Sequence, residues 1–247
     1  MKKAMVAVLV AVFLTLGLLA GCESEEVTGS GNLETKDFNF SDFTRVEAHR
    51  AFEVEISPGD SYFVSITVNE NLLERLAISQ SGDTLIMDLE EGNYRRTTQK
   101  ATITMLDLRG LRLSGASKAT VSGFSFSHSV EFDLSGASSL DLDNLEAGNT
   151  EFDISGAGRI SGSIKMANGQ FDLSGASTAE LAGSASDVSI EASGASKLRL
   201  GDFSMSNADT KLSGASSGTI QVNDRLDVDL SGASKLDYIG NPTMGTI

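Results

Sequence analysis

The four-residue phrase Ser-Gly-Ala-Ser recurs along the second half of the chain and constrains the fold more than any other feature. Six copies begin at Ser114, Ser135, Ser174, Ser193, Ser213 and Ser231, and a seventh copy, beginning at Ser155, ends in Gly158. Successive copies start 21, 20, 19, 19, 20 and 18 residues apart. A repeat of about twenty residues is typical of a solenoid, in which each repeat forms one coil and stacks on its neighbours.

The residues on both sides of the phrase alternate between apolar and polar, which is the pattern of strands with one wet face. Counted from the first serine as zero, positions −3 and −1 are mostly apolar, as in Phe132 and Leu134. Positions +5 and +7 are mostly apolar too, as in Leu140 and Leu142. Each repeat is therefore predicted to be a strand, a tight corner, a second strand and a return loop. Pairing of equivalent strands about 4.8 Å apart predicts an all-β, single-stranded parallel β-helix with an apolar interior.

The glycine of the phrase marks the corner between the two strands. Glycine adopts backbone conformations that a side chain obstructs, and the flanking serine hydroxyls can bond nearby backbone groups. The predicted structural glycines are Gly115, Gly136, Gly156, Gly175, Gly194, Gly214 and Gly232.

Residues 1–21 have the pattern of a secretory signal peptide and are not expected to belong to the fold. Lys2 and Lys3 precede an apolar run that ends in Leu19-Ala20-Gly21-Cys22. This ending resembles the lipobox of bacterial lipoproteins, in which the cysteine is acylated and becomes the mature N-terminus. Lipidation of Cys22, the sole cysteine, is therefore predicted to anchor the protein to a membrane without spanning it. An uncleaved membrane anchor and a plain secretory signal are the alternatives.

Composition adds a tether and a strong negative charge. Residues 22–31 are acidic and then rich in serine and glycine, which predicts a solvated tether between the lipid and the fold. Removal of the signal peptide takes two lysines and no acid, so the net charge falls from −15 to −17. Such a charge disfavours nucleic acid and anionic lipid headgroups as partners. The expected location is the cell envelope, outside the cytoplasm.

Residues 32–108 are rich in predicted strands but lack the repeat, and residues 109–247 carry it. The first of these parts is predicted to cover one end of the solenoid, because an open end exposes unpaired strand edges. Ala101 to Leu108 is expected to lead directly into the first repeat. The stretch Glu70 to Leu76 has the composition of a short helix, which Asn69 or Asn71 could cap.

Position −2 carries an acidic residue in four consecutive repeats, and these four residues are named the acidic ladder. They are Asp133, Asp153, Asp172 and Glu191. Stacked coils would place their carboxylates about 4.8 Å apart on one outer face. Three functions are consistent with such a row: a strip that binds cations, a face for a basic partner, or a paired-carboxylate glycosidase site, which needs a spacing of about 5–5.5 Å. A plainly solvated outer face is the simplest interpretation.

Other columns and residues point away from catalysis. Position +4 alternates between cationic and hydroxyl side chains, which keeps identical charges two coils apart; the column reads Lys118, Ser139, Arg159, Thr178, Lys197, Ser217 and Lys235.

His49 and His128 have no second metal ligand at a suitable spacing, and no serine has an obvious neighbouring base. The sequence therefore predicts no catalytic residue, no metal site and no cofactor.

Several segments outside the repeats resemble the putative autotransporter adhesin head domain family. They are Gly29-Ser30-Gly31-Asn32, Phe43-Thr44-Arg45-Val46, the run from Phe52 to Ile56 before Pro58-Gly59-Asp60, and Glu70 to Leu76. The resemblance covers the chain from about Gly31 and implies a β-helix on bacterial lipoproteins or secreted proteins, with no catalytic residues. The expected function is a non-catalytic surface module for adhesion or for contact with a protein or glycan. The alternative is a polysaccharide-active enzyme that uses the acidic ladder.

Overall fold

The computed structural model describes residues 26–246, which are almost entirely β-structure. The first part of the chain forms nine strands: β1 (Glu26–Thr28), β2 (Leu33–Phe38), β3 (Arg45–Ala48), β4 (Glu53–Pro58), β5 (Phe63–Asn69), β6 (Leu76–Ser81), β7 (Thr84–Leu89), β8 (Asn93–Arg95) and β9 (Gln99–Met105). The remainder forms β10 (Gly110–Leu113), β11 (Lys118–Ser122), β12 (Val130–Leu134), β13 (Ser139–Ala147), β14 (Thr150–Ile154), β15 (Arg159–Met166), β16 (Asn168–Leu173), β17 (Thr178–Ala192), β18 (Lys197–Leu212), β19 (Ser217–Leu230), β20 (Lys235–Ile239) and β21 (Thr243–Met244). One 3₁₀ helix, Glu70–Arg75, joins β5 to β6.

Equivalent strands of successive repeats pair in parallel and in register, so the chain is a β-solenoid. Strands before each Ser-Gly-Ala-Ser corner form a first column, in which β12 pairs β10 and β14. Strands after the corner form a second column, in which β13 pairs β11 and β15. From β17 onward, one continuous strand runs from the second column of one coil into the first column of the next. The predicted parallel β-helix is thereby confirmed.

The corner phrases stack along one edge, where their backbones bond directly. The amide of each corner alanine donates to the carbonyl of the glycine one coil earlier at 2.7 Å, as Ala137 does to Gly115 and Ala157 to Gly136. All seven corner glycines have φ between 70° and 76°, in the left-handed region that side chains disfavour. Glycine is therefore needed both for the backbone conformation and for the close approach of consecutive coils.

The predicted return loop is present in the first repeat, over residues 123–129, but from β13 onward the return to the next coil is largely a paired strand segment. In β13 and β15 the pairing shifts register between Leu142 and Leu145 and then continues to Ala147. Gly162 and Gly183 have positive φ at this bend, which lets the chain turn while it stays paired. The segment also places large apolar side chains in the core; they include Leu145, Ile164, Phe203 and Met205.

Aromatic side chains stack through the interior at position −3. Phe132 and Phe152 have ring centroids 5.4 Å apart, and Phe152 and Phe171 have centroids 4.7 Å apart, both with nearly parallel rings. All three are fully buried. The apolar residues of the solenoid thus form one continuous core along the stack of coils.

The last serine of the phrase is buried under the corner in most copies, and in Ser138, Ser177, Ser196 and Ser234 its hydroxyl closes the turn. Ser177 Oγ donates to the carbonyl of Ser174 at 2.7 Å and also lies 3.1 Å from the carbonyl oxygen of Ile154. The equivalent hydroxyl of Ser216 is buried without a hydrogen-bond partner.

This difference predicts unequal effects for two matching substitutions. Ser177→Ala should lower the free energy of unfolding by about 1 kcal/mol, because it removes a buried hydrogen bond. Ser216→Ala should be neutral or slightly stabilising, because it removes a buried hydroxyl that has no partner. Thermal unfolding of both variants checks the prediction, and equal losses would contradict it.

The coils of the first part are not stacked in chain order. Strand β3 lies between β7 and β10, and β4 lies between β9 and β11. The coil formed by β7 and β9 is therefore outermost, although it follows β3 and β4 in the chain. Residues 101–108 lead into β10 along the chain, as predicted, although β9 pairs with β4 and β5 and not with a strand of the first repeat.

Antiparallel strands complete this end of the solenoid, as the predicted cap requires. β5 pairs antiparallel with β9 and carries β2 on its other side, while β6 pairs antiparallel with β7. The predicted short helix is present but is a 3₁₀ helix. Asn69 precedes it and makes no side-chain cap hydrogen bond.

The side chains of Asn69 and Asn71 hold the N-terminal segment instead of capping the helix. Asn69 donates to the carbonyl of Ser30 and accepts from the amide of Thr98, and Asn71 donates to the carbonyl of Thr28. Strand β1 pairs in parallel with β8, and Val27 is buried. The prediction of a solvated tether over residues 22–31 is therefore wrong for residues 26–31, because side-chain amides and strand pairing fix that segment.

Candidate functional site

The acidic ladder is continuous along the first column of the solenoid. Asp133 pairs in register with Asp153, Asp153 with Asp172, and Asp172 with Glu191. Their side chains point to the outer face, because the residues on either side of each acid face the core. Four successive coils thus present a carboxylate at the same position.

Cationic side chains bound the ladder at both ends. Arg112 donates from Nε to Asp133 at 2.8 Å, and Lys211 Nζ lies 3.0 Å from Glu191 Oε1. The pKa of Arg112 is raised chiefly by its hydrogen bond to Asp133, and that of Lys211 by its hydrogen bond to Glu191. The central carboxylates, Asp153 and Asp172, have no such cationic neighbour among the described ion pairs.

Repulsion between neighbouring carboxylates of the acidic ladder is clearest at Asp153. Its pKa is raised above the usual aspartate value, first by partial burial and then by the charges of Asp133 and Asp172. A carboxyl whose pKa is higher in the folded chain than in the unfolded chain destabilises the fold as the pH rises through that range. The negative charge of Asp153 is therefore unfavourable for folding at neutral pH.

Asp153→Asn should consequently raise the melting temperature at pH 7. The gain should vanish below about pH 3, where the aspartate is protonated in both the folded and the unfolded chain. Asp202→Asn, a substitution of an exposed aspartate outside the ladder, is the control. Thermal melts between pH 3 and pH 8 test the prediction, and a lower melting temperature for Asp153→Asn at pH 7 would contradict it.

A groove runs beside the acidic ladder across several coils, with a volume of about 890 Å³. It is named the acidic groove, and two rows of side chains line it. The first row, at position −6, consists of Asn149, Asn168, Asp187, Asn207 and Arg225. The second row, at position −4, consists of Glu131, Glu151, Gln170, Ser189, Asp209 and Asp227. The second row and the acidic ladder lie on the same strands and the same outer face, two residues apart.

The first row of the groove is a ladder of hydrogen-bonded amides. Asn168 Nδ2 donates to Asn149 Oδ1 at 3.1 Å, and Asn207 Nδ2 donates to Asp187 Oδ1 at 2.8 Å. The amide of Asp187 donates to Asn168 Oδ1 at 3.2 Å. These contacts fix the side chains at the rim, so the groove has a defined polar wall.

Three arginines line the ends of the groove, Arg45 and Arg109 at one end and Arg225 at the other. Arg45 lies 2.8 Å from Glu131 at one end, and Arg225 lies 2.7 Å from Asp227 at the other. The hydrogen bond from Arg225, together with one from the amide of Thr246, lowers the pKa of Asp227 to about 2. The carboxylates between these ends, such as Glu151 and Asp209, give the middle of the groove its negative charge.

Sequence reasoning missed the groove, although its signal is present in the repeats. Once the phrase is aligned, position −6 contains an asparagine or aspartate in four consecutive coils from Asn149 to Asn207. The concavity itself was not predictable, because alternation predicts which side chains face outward but not the shape of the surface that they form.

The column at position +4 follows the register expected from the sequence. Lys118 pairs with Ser139, and Ser139 pairs with Arg159. Arg159 and Arg199 both contact Glu180, at 2.6 Å and 2.9 Å. Arg159 of this column is therefore part of a surface network of ion pairs.

One serine does have a neighbouring base, contrary to the expectation from sequence. Ser114 Oγ lies 2.5 Å from His49 Nδ1, because the register of β3 and β10 brings residues 65 positions apart together. His49 Nε2 lies 3.7 Å from Glu47, which is beyond hydrogen-bond distance. Beside Glu47 there is only a shallow depression of about 30 Å³. The contact thus links two coils without the oriented base and substrate cleft that nucleophilic catalysis needs.

His128 is also held by neighbouring side chains. Its Nε2 contacts Asp107, and its ring stacks on Phe126 with centroids 4.5 Å apart. Within residues 26–246, no group of three or more His, Cys, Asp or Glu side chains is arranged to hold a metal ion. Cys22 and the predicted signal peptide lie outside the described residues, and none of the helices described is long and apolar enough to cross a bilayer.

A rigid parallel β-solenoid with an elongated, acidic groove is the class of protein that these features define. The chain belongs to the family described as putative auto-transporter adhesin, head GIN domain, whose model matches residues 42–242. The family resemblance inferred from sequence is thereby confirmed. No match is found among curated proteins.

Solved structures of related shape come from Parabacteroides species. A putative adhesin from Parabacteroides distasonis superimposes with a TM-score of 0.81 at 15% identity, covering 90% of this chain and 96% of that one. A putative lipid binding protein from the same species superimposes with a TM-score of 0.73 at 17% identity, covering 90% of this chain and 95% of that one. A putative adhesin from Parabacteroides merdae superimposes with a TM-score of 0.71 at 17% identity, covering 91% of this chain and 100% of that one. At these identities the similarity establishes the fold.

Proposed function

We propose that the protein is a non-catalytic adhesion module of the cell envelope, which binds a basic, extended segment of a surface protein in the acidic groove. The observation that carries this proposal is the groove itself, a hollow of about 890 Å³ that crosses several coils. Membership of an adhesin head family supports the adhesive role. A lipid on Cys22 would hold the module at the membrane.

The charges along the groove favour a cationic partner. Glu151 and Asp209 lie in the groove, and the acidic ladder runs beside them on the same face. An extended chain in the groove crosses coils that are about 4.8 Å apart and meets carboxylates from several of them. The amide row opposite offers hydrogen bonds to backbone groups of such a chain. The same charges repel acidic polysaccharides, in agreement with the net charge of −15.

Calorimetric titration of the soluble chain, residues 23–247, with an octalysine peptide tests the proposal. The triple variant Glu131→Gln, Glu151→Gln, Asp209→Asn should weaken binding about 10-fold or more, at about 0.5 kcal/mol per lost charge contact. The matched control is Asp143→Asn, Asp202→Asn, Asp224→Asn, which removes three acids outside the groove. Equal effects of the two triple variants, or no binding at low salt, would overturn the proposal.

The lipid anchor has its own test. Cys22→Ser should abolish incorporation of radiolabelled palmitate and move the protein from the membrane fraction to the soluble secreted fraction. Retention of Cys22→Ser in membranes would favour an uncleaved apolar anchor over lipidation. This result is independent of binding in the groove.

A second candidate function is a polysaccharide-active enzyme that uses Asp153 and Asp172. The observation that favours it is the raised pKa of Asp153, since a glycosidase needs one protonated carboxyl beside an ionised one. Release of reducing ends from a panel of neutral and acidic polysaccharides, lost in Asp153→Asn, would support this function. The adhesion proposal expects no release by either protein.

A further inference from the structure

The C-terminal end of the solenoid exposes side chains at positions that are buried in the preceding coil. Leu230 is 43% exposed, whereas its partner one coil earlier, Leu212, is 1% exposed. Tyr238 is 49% exposed, whereas Ile220 is fully buried. Met244 is 37% exposed, whereas Leu226 is fully buried. Among residues 26–246, nothing takes the place of the next coil.

The two ends of the solenoid are therefore built differently. Antiparallel strands and the 3₁₀ helix cover the N-terminal end, and its outermost strand β2 carries charged side chains such as Lys36 and Asp37. At the C-terminal end, β20 pairs with β19 on one side only, within the described residues. A free strand edge beside exposed apolar side chains is a surface suited to pairing with another strand.

The sequence of β20 is complementary to itself in the antiparallel direction. If a twofold axis passes through Leu236, perpendicular to the sheet, Lys235 of each chain lies opposite Asp237 of the other. Opposite charges across an antiparallel pair are favourable, and the symmetry provides two such pairs. The same rotation places the open core of one solenoid against that of the other, so Leu230 and Tyr238 become covered.

We propose that two copies of this chain associate end to end through this surface, with β20 of each copy extending the sheet of the other. Within one chain Lys235 Nζ lies 2.7 Å from Asp237 Oδ2. In the antiparallel pair each of these charges lies opposite the oppositely charged residue of the other copy, so a second copy can exchange the two ion pairs across the axis and leave no charge unpaired. The association is independent of the acidic groove, which lies along the side of the solenoid and remains open in the dimer.

Light scattering coupled to size-exclusion chromatography of residues 23–247 tests this proposal. At about 100 μM the parent chain should have twice the mass of one copy. Tyr238→Glu should reduce the mass to that of one copy while leaving the circular dichroism spectrum unchanged, because Tyr238 is half-exposed in the single chain. A parent chain with the mass of one copy at this concentration would overturn the proposal.

A charge exchange tests the arrangement of the strands. Asp237→Lys should dissociate the dimer, because two lysines then face each other on each side of the axis. Adding Lys235→Asp in the same chain should restore it. Asp141→Lys, the same position of an inner coil, is the matched control and should leave the dimer intact. A dimer insensitive to Asp237→Lys would show that another surface holds the copies together.

Discussion

Gly136→Ala is expected to cause a large loss of stability, although it adds a single methyl group. The methyl carbon would lie 2.6 Å from the carbonyl oxygen of Gly115, which is the atom that accepts the hydrogen bond from Ala137. The substitution also forces alanine into a left-handed conformation at φ 72°. Left-handed backbone costs about 1–2 kcal/mol and overpacking about 1–3 kcal/mol, so the free energy of unfolding should fall by about 2–5 kcal/mol.

Two other glycines separate the causes of this loss. Gly82 has φ 60° but has no atom within 4 Å of the added methyl group, so Gly82→Ala should show only the conformational cost of about 1–2 kcal/mol. Gly31 has neither constraint, and Gly31→Ala should be neutral. Chemical denaturation of the three variants should give losses in the order Gly136, Gly82, Gly31. A loss at Gly136 no greater than at Gly82 would disprove the close approach of the corners.

Phe152→Ala should be comparably severe, because Phe152 is the middle ring of the aromatic stack. Its ring lies between those of Phe132 and Phe171 and is fully buried. Removing a buried phenylalanine costs about 3–5 kcal/mol through lost transfer energy and the remaining cavity. For a domain of this size, that loss corresponds to a fall in melting temperature of about 6–20 °C.

Phe63→Ala is the matched control for the aromatic stack. Phe63 is 46% exposed and does not take part in the stack, so its substitution should cost much less. Calorimetry of both variants measures the difference. If Phe152→Ala melts within 2 °C of the parent, the stacked rings do not provide the core energy expected here.

The repeats were predictable from sequence because a single local rule determines them. Alternation around the phrase identified Phe132 and Leu134 as inward-facing, and the period near twenty identified their neighbours in the coils above and below. Counting positions from the first serine of the phrase also predicted that the carboxylates of the acidic ladder form one row on the outer face. In each case the partner of a residue follows from its position in the repeat.

The rest required contacts that no local pattern reveals. Nothing around Asn69 and Asn71 shows that their amides bind the segment before β2, and their spacing equally suits helix capping. The proximity of Ser114 and His49 depends on the pairing of β3 with β10, which no pattern in residues 32–108 predicts. The acidic groove is a concavity of the outer face, and alternation predicts which side chains point outward but not the shape of the surface that they form.

Strands β3 and β4 lie between strands that come later in the chain, and this arrangement affects the order in which an exported chain can fold. A chain that crosses a membrane N-terminus first presents these two strands long before residues 84–105 are available to cover them. The first three layers can therefore close only together, after about Leu113 has emerged, whereas each later coil can add to a finished edge as it appears. In a chain exported in this way, the first three layers should fold in one cooperative step, and the later coils should then add one at a time in the direction of translocation.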